Sequence, residues 1–204
     1  MIIFGLAVFF FGSVEQGVFH CPNCGGDREY KRKIGRRWFT LFFVPVIPLN
    51  KVAEVVQCGT CNTRYQPSVL SVPTTGQLAA AVPAAVAAAA SLVLRAAAPS
   101  MAARARAIEA VRLAGSANYG DPELDAELAQ PPAAVLQRLA EAGGPLAPEA
   151  RERILAEATR VGLADGPLTA EERQALGAVG PALSLTAAQF YGTVSMVEQS
   201  APHS

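Results

Sequence analysis

Four cysteines carry the only concentrated chemistry in this chain of 204 residues. Cys21 and Cys24 stand in His-Cys-Pro-Asn-Cys-Gly, and Cys58 and Cys61 in Gln-Cys-Gly-Thr-Cys-Asn. Each Cys-x-x-Cys spacing lets two thiolates from one tight turn reach a tetrahedral zinc at about 2.3 Å, and two such turns complete its shell. Four thiolates leave no coordination position for a substrate, so the metal expected is one structural Zn²⁺ held by Cys21, Cys24, Cys58 and Cys61. A knuckle of this kind needs a residue that tolerates positive φ directly after its second cysteine, because the chain turns back there and aims backbone amides at the sulfurs. Gly25 fills that place in the first pair and Asn62 in the second. Two disulfides, or a redox dithiol in one pair, are the competing readings. Vicinal pairs with knuckle residues at both turns suit a metal in a reducing compartment better.

Other candidate chemistry is less concentrated. Asp27 to Arg37, DREYKRKIGRR, holds Arg28, Lys31, Arg32, Lys33, Arg36 and Arg37, with Tyr30 among them and Trp38 and Phe39 following. Such a mixture can bind phosphate while an aromatic stacks on a base. It serves equally as a solvated hairpin that keeps a small domain soluble, and that plainer reading is adopted. His20, beside Cys21, reads as a surface residue because four cysteines already fill a shell. Further on, Asp165-Gly166 with Glu171 and Glu172 sets carboxylates at a helix-helix turn, where oxygen ligands can hold Ca²⁺ or Mg²⁺. The Asp-x-Asp-x-Asp-Gly spacing of an EF-hand is absent, and each residue has an ordinary duty as turn former or first-turn acid. No nucleophile is paired with a base, and the second histidine is His203, so the chain reads as non-enzymatic.

The elements that position the cysteines follow from what lies around them. The 33 residues from Gly25 to Gln57 exceed a compact zinc loop and must carry strands of their own. Met1 to Gly12 (MIIFGLAVFFFG) is apolar throughout, yet twelve residues of helix span only about 18 Å against a hydrocarbon core of about 30 Å. Rich in Ile, Val and Phe, it reads as a buried strand or strand pair. Trp38 to Asn50 (WFTLFFVPVIPLN) is the second apolar run, and Pro45 and Pro48 place it at a strand edge or extended crossover. Val52 to Val56 returns to the second knuckle, and Arg64 to Gln66 closes the sheet.

Composition then changes. All four cysteines, the only Trp and all but one Phe precede residue 70, whereas most of the Ala follows it. Residues 1–70 hold eight Lys and Arg against four Asp and Glu, and residues 71–204 hold nine against thirteen, so a mildly basic part precedes an acidic one. The expected organisation is a β domain over 1–70, a linker over 71–77 and a helical bundle over 78–199. Leu78 to Leu94 is about the minimum length for a membrane span, but it is mostly Ala and contains Pro83, so a buried helix is expected. The helical pattern gives about seven helices: Thr75–Ala97, Met101–Leu113, Asp121–Leu128, one from Pro131-Pro132 to Gly143-Gly144, Glu149–Leu163, and two opened by the capping boxes Thr169/Glu172 and Thr186/Gln189. Shifting the bundle by 68 residues lays Val93, Pro99 and Ile108 on Val161, Pro167 and Leu176, a weak internal echo of one helix-turn-helix.

MIIFG, VFHCPNCGGDREY, RRWFTLFFVPVIPLN and the Cys58/Cys61 pair followed by Tyr65 resemble bacterial zinc-ribbon proteins in which the ribbon precedes a TerB-like tellurite-resistance helical domain. ILAEATRVGLADGPLTAEERQALGAVGPALSLTAAQF resembles the second half of that TerB-like bundle, with its Ala-Asp-Gly turn and acidic helix start. The resemblance implies an α+β protein of two domains, a small all-β zinc ribbon followed by an all-α TerB-like bundle. It also implies a cytoplasmic setting linked to stress or metal resistance, with membrane-associated assemblies and an acidic surface. It implies no biochemical activity. The acids stand at the second turn only, so a symmetrical two-site metal surface is not expected.

The functional expectation is a non-enzymatic zinc-binding interaction or scaffold protein, whose apolar strands supply a docking or self-association surface for protein partners or a peripheral membrane assembly. Nucleic-acid binding through residues 28–37 and divalent-cation response through residues 165–172 are the alternatives. No small-molecule substrate is expected.

Overall fold

A computed structural model describes residues 4–10, 12–41 and 44–201. Expectations that rest on residues 1–3, 11, 42–43 or 202–204 lie outside the described residues. The fold is α+β in two parts, an antiparallel sheet followed by a helical region. Two compact units divide between Gly76 and Gln77.

The first unit contains β1 (Phe4–Phe10), β2 (Glu15–Cys21), β3 (Gly26–Leu41), β4 (Val44–Cys58) and β5 (Arg64–Tyr65). Sixteen residues long, β3 is the spine of the sheet. Along one edge its first half pairs with β2, from Cys21 opposite Gly26 to Glu15 opposite Arg32. Its second half pairs with β1, from Phe10 opposite Gly35 to Phe4 opposite Leu41. Its other edge pairs with β4, with register shifts at Gly35/Arg36, between Arg36 and Trp38, and at Phe39/Thr40. β5 joins β4 only at Val56 and Gln57, so the half of β4 that holds Pro45 and Pro48 has β3 as its one neighbour among the described residues. An edge strand is where a residue without an N–H does least damage to a ladder.

The apolar strand expected at the start forms as β1, but it is not wholly buried, since Val8 is 44% exposed. Among the described residues β1 has β3 alone beside it, so one of its edges carries no partner strand there. The chain folds back just before the expected linker. Pro67–Ser71 is a short 3-10 turn, and its Val69 and Leu70 pack on the small core of this unit, formed by Phe19, Cys21, Tyr30, Val56 and Cys58.

The helical region comprises α1 (Thr75–Leu94), α2 (Met101–Leu113), α3 (Asp121–Ala129), α4 (Pro132–Gly143), α5 (Pro148–Gly162), α6 (Ala170–Ala182) and α7 (Ala187–Ser200), with a 3-10 turn at Leu163–Asp165. Boundaries follow the local chemistry. Ser100 accepts from the Ala103 amide, and Thr169/Glu172 and Thr186/Gln189 form reciprocal capping boxes. Prolines occupy the first turns of α3, α4 and α5, where the missing N–H has no intrahelical acceptor anyway. The core gathers Leu124, Leu139, Ile154, Leu155, Leu176 and Leu183, each buried. Pro67–Leu94 is apolar and long enough, by length and composition, to cross a membrane. Every residue from Ala85 to Leu94 is nonetheless buried in the bundle. The internal echo falls on α1–α2 and α5–α6, with Val93 and Val161 both fully buried.

Candidate metal centre

Two knuckles build the site. The first follows β2, where the Gly25 amide donates to the Cys21 carbonyl at 2.9 Å and Gly25 takes a φ of 66°. The second follows β4, where the Asn62 amide donates to the Cys58 carbonyl at 3.1 Å, the Cys58 amide donates to the Thr63 carbonyl at 3.0 Å, and Asn62 takes a φ of 58°. Both residues read from the sequence as tolerant of positive φ therefore sit in the left-handed region. Antiparallel pairing of β3 with both β2 and β4 brings the turns together, with Cys21 opposite Gly26 and Cys58 opposite Tyr30. The Gly59 amide donates to the Glu29 carbonyl at 2.8 Å. A side chain on Gly59 would stand 3.2 Å from that oxygen, so this close approach of two backbones favours glycine.

All four sulfurs lie within 4.8 Å of one another. Cys21 Sγ and Cys61 Sγ are 3.8 Å apart, close to the edge of a tetrahedron with metal-sulfur bonds of about 2.3 Å and well beyond a disulfide bond of about 2.05 Å. All four cysteines are free, which removes the disulfide reading. Cys21 and Cys58 are buried, and Cys24 and Cys61 are half-buried. Donor type, number and spacing fit one structural zinc ion with every position taken by sulfur.

The surroundings of the sulfurs are uneven. Side-chain and backbone hydrogen bonds from Thr63, aided by Asn23 and Cys58, hold the Cys61 thiol down at about 5. Burial opposes ionisation of Cys21, but hydrogen bonds from Tyr65, from the Cys24 and Asn23 amides and from Cys58 bring it below the ordinary thiol value. Burial and the neighbouring sulfurs push Cys24 up to about 12. The protein alone thus favours ionisation of Cys61 and opposes that of Cys24, and a divalent cation supplies the charge that stabilises a thiolate at each ligand.

An aromatic wall backs the site, and sequence reading did not single it out. Phe19 meets Tyr30 edge-on at 5.7 Å and Tyr65 at 5.9 Å between ring centroids. The Tyr30 ring lies across Gly17, where an added Cβ would stand 3.0 Å from it. Tyr30 donates to Glu15 at 3.1 Å, and Glu15 also pairs with Arg32 at 2.8 Å. The signal was an aromatic at alternate positions of strands that flank cysteines, but alternation in β2 and β3 does not say which rings meet.

The remaining candidate residues are placed as follows. His20 is half-buried, with Nδ1 3.5 Å from Asp27 Oδ1 and outside the sulfur cluster. Asp27 in turn accepts from the amides of Thr75 at 3.1 Å and Gly76 at 3.3 Å. Strand alternation spreads the six basic residues over both faces of β3, with Arg28, Arg32 and Arg36 on one and Lys31, Lys33 and Arg37 on the other. Arg28 bonds the Asp27 carbonyl, and Arg32 bridges Glu15 and Glu54. Lys31, Arg36 and Arg37 are exposed. Asp165 and Glu171 are exposed, whereas Glu172 is buried and accepts from the Thr169 amide at 2.8 Å. Among the described residues, the four cysteines are the one group of three or more potential ligands brought within reach of a single ion.

A zinc-ribbon family model matches residues 19–83, which contain all four cysteines, β3, β4 and the opening turns of α1. No curated protein matches the chain, and no solved structure matches it.

Proposed function

We propose that this protein is a non-enzymatic, zinc-fixed interaction platform. One observation carries the reading. The sulfur cluster sits at one end of β3, and the same strand runs on to an apolar end where Val8 and Ile47 are 44% and 52% exposed. A metal ligated by four thiolates has no open position for chemistry, so its contribution is to lock strands that, among the described residues, enclose a core of five buried side chains. The exposed apolar end is the feature such a lock would hold in place for a partner.

The setting in stress or metal resistance, and the TerB-like character of the bundle, rest on the resemblance of residues 154–190, with Ala164-Asp165-Gly166 ahead of Glu171 and Glu172. The test has two arms. Metal analysis of freshly purified protein should give one zinc per chain, and a photocrosslinking side chain at Ile47 should label a partner only while zinc is bound. Zinc-independent labelling, or turnover of a substrate at the cysteines, would overturn the platform. Unchanged tolerance to tellurite, oxidants and metals in a deletion strain would remove the resistance setting.

A further inference from the structure

We infer that the far end of the β1–β3–β4 sheet docks onto an anionic lipid surface, seating itself at the boundary between headgroups and acyl chains. This deepens the platform reading and rests on it, by naming the partner of the exposed apolar end. The register sets Val8 opposite Arg37, and next along the sheet a row of Leu6, Phe39 and Ile47. Val8 and Ile47 are exposed, as is Arg37 on the same face and Arg36 on the other. No acidic residue occurs in 1–14 or in 30–53, while Lys31, Arg32, Lys33, Arg36, Arg37 and Lys51 do. Apolar residues at the end of a sheet with exposed arginines at their base match a surface that is apolar below and negative above.

Dimensions and backbone chemistry set the depth. From Arg37 to Leu41 the strand rises about 13 Å, less than the roughly 15 Å of one hydrocarbon leaflet, so the described part of the element reaches into one leaflet. Open sheet edges are not tolerated deep in hydrocarbon, which restricts the seat to the interface. At that edge β4 carries Pro45 and Pro48, which present no N–H to be left without an acceptor. Other occupants fit less well. A second copy would bring Arg36 and Arg37 against their own kind, and a nucleic-acid backbone would satisfy the arginines but leave Val8 and Ile47 in water.

The experiment uses the full-length, zinc-loaded protein, vesicles of phosphatidylcholine alone or mixed with phosphatidylglycerol, and the fluorescence of Trp38, the only tryptophan. Sedimentation with the anionic vesicles should weaken as salt is raised and be accompanied by a blue shift of Trp38 and quenching by brominated acyl chains. Arg36→Glu with Arg37→Glu should weaken binding at least about tenfold. Val8→Ser with Ile47→Ser should abolish the quenching, with zinc content unchanged in both variants. Absence of binding to anionic vesicles at low salt, equal binding by the wild type and both variants, or a lipid-free dimer dispersed by the serine variant would each overturn the inference. Failure on vesicles with one zinc retained leaves the platform standing, whereas protein that carries no zinc brings the platform itself down.

Discussion

The hydroxyl of Tyr65 lies 3.4 Å from the sulfur of Cys21, a contact between residues 44 positions apart in the chain. Tyr65 belongs to the short strand that follows the second knuckle, and Cys21 opens the first. Each knuckle is therefore tied to the other by a hydrogen bond as well as by a shared ion. The bond to Cys21 is the main reason that the phenol is pushed up to about 12, so it stays protonated and available to donate to a thiolate.

Removing that donor should loosen the metal without removing a ligand. Tyr65→Phe is expected to lower zinc affinity roughly 10–100-fold, the usual effect of losing a partner that orients a ligand. Competition with a chromophoric chelator measures it. An affinity equal to that of the wild type would show that the contact is incidental.

Zinc removal should unfold one compact unit and spare the other. The buried core of the ribbon and that of the bundle are distinct clusters, and structural zinc supplies on the order of 10 kcal/mol of folding free energy. Chelation, or Cys58→Ser, should abolish the near-ultraviolet signal of the ribbon while the helical far-ultraviolet signal persists. Simultaneous loss of both signals would contradict the independence of the cores.

Acid should weaken the ribbon in a way that traces to Glu15. Its carboxyl is held below the ordinary value, first by the Arg32 hydrogen bond and then by Tyr30. A folded-state pKa depressed in this way contributes stability above the unfolded value near 4.5, and that contribution is lost as pH falls through the lowered value. Ribbon unfolding followed from pH 6 downward, with Glu15→Gln compared at each step, should give a shallower acid slope for the variant. Parallel slopes would show that Glu15 contributes nothing to the acid sensitivity.

In the bundle, Gly162→Ala tests packing. A Cβ there would stand 2.6 Å from Leu168 Cδ2 and 3.2 Å from Val93 Cγ1. Overpacking of this kind costs about 1–3 kcal/mol, against about 1 kcal/mol returned by better helix propensity. Calorimetry should show a lower midpoint for the helical transition and an unchanged one for the ribbon. A raised helical midpoint would mean that Leu168 yields freely.

Thr169→Ala tests the cap. Glu172 and Thr169 exchange hydrogen bonds at 2.8 and 3.2 Å, so the substitution should cost about 1 kcal/mol of helical stability. An unaltered unfolding curve would show that water replaces the hydroxyl without penalty.

What the sequence disclosed was mainly local. Cys-x-x-Cys followed by Gly25 or Asn62 states its own backbone geometry, and Thr169 with Glu172 or Asp121 with Pro122 marks a helix start within four residues. What it withheld depends on strands meeting across tens of residues. The packing of Val69 and Leu70 was not legible, because nothing nearby shows that a 3-10 turn folds back onto Phe19 and the cysteines. Asp27 reads as one more charge in a basic run until Thr75 and Gly76 arrive beside it. The six basic residues look like one patch in a linear chain, and strand alternation deals them to opposite faces.

An unbroken β3 also imposes a rule of parity on this molecule. Inserting or deleting one residue between Tyr30, which faces Cys58, and Phe39, which faces Ile47, would leave the knuckles intact yet turn everything beyond the change upside down, unless a further bulge absorbed it. Two residues would merely lengthen or shorten the reach. Drift in this segment should therefore come in even steps, and an odd step should keep the ion while reversing which side of the molecule meets its neighbour.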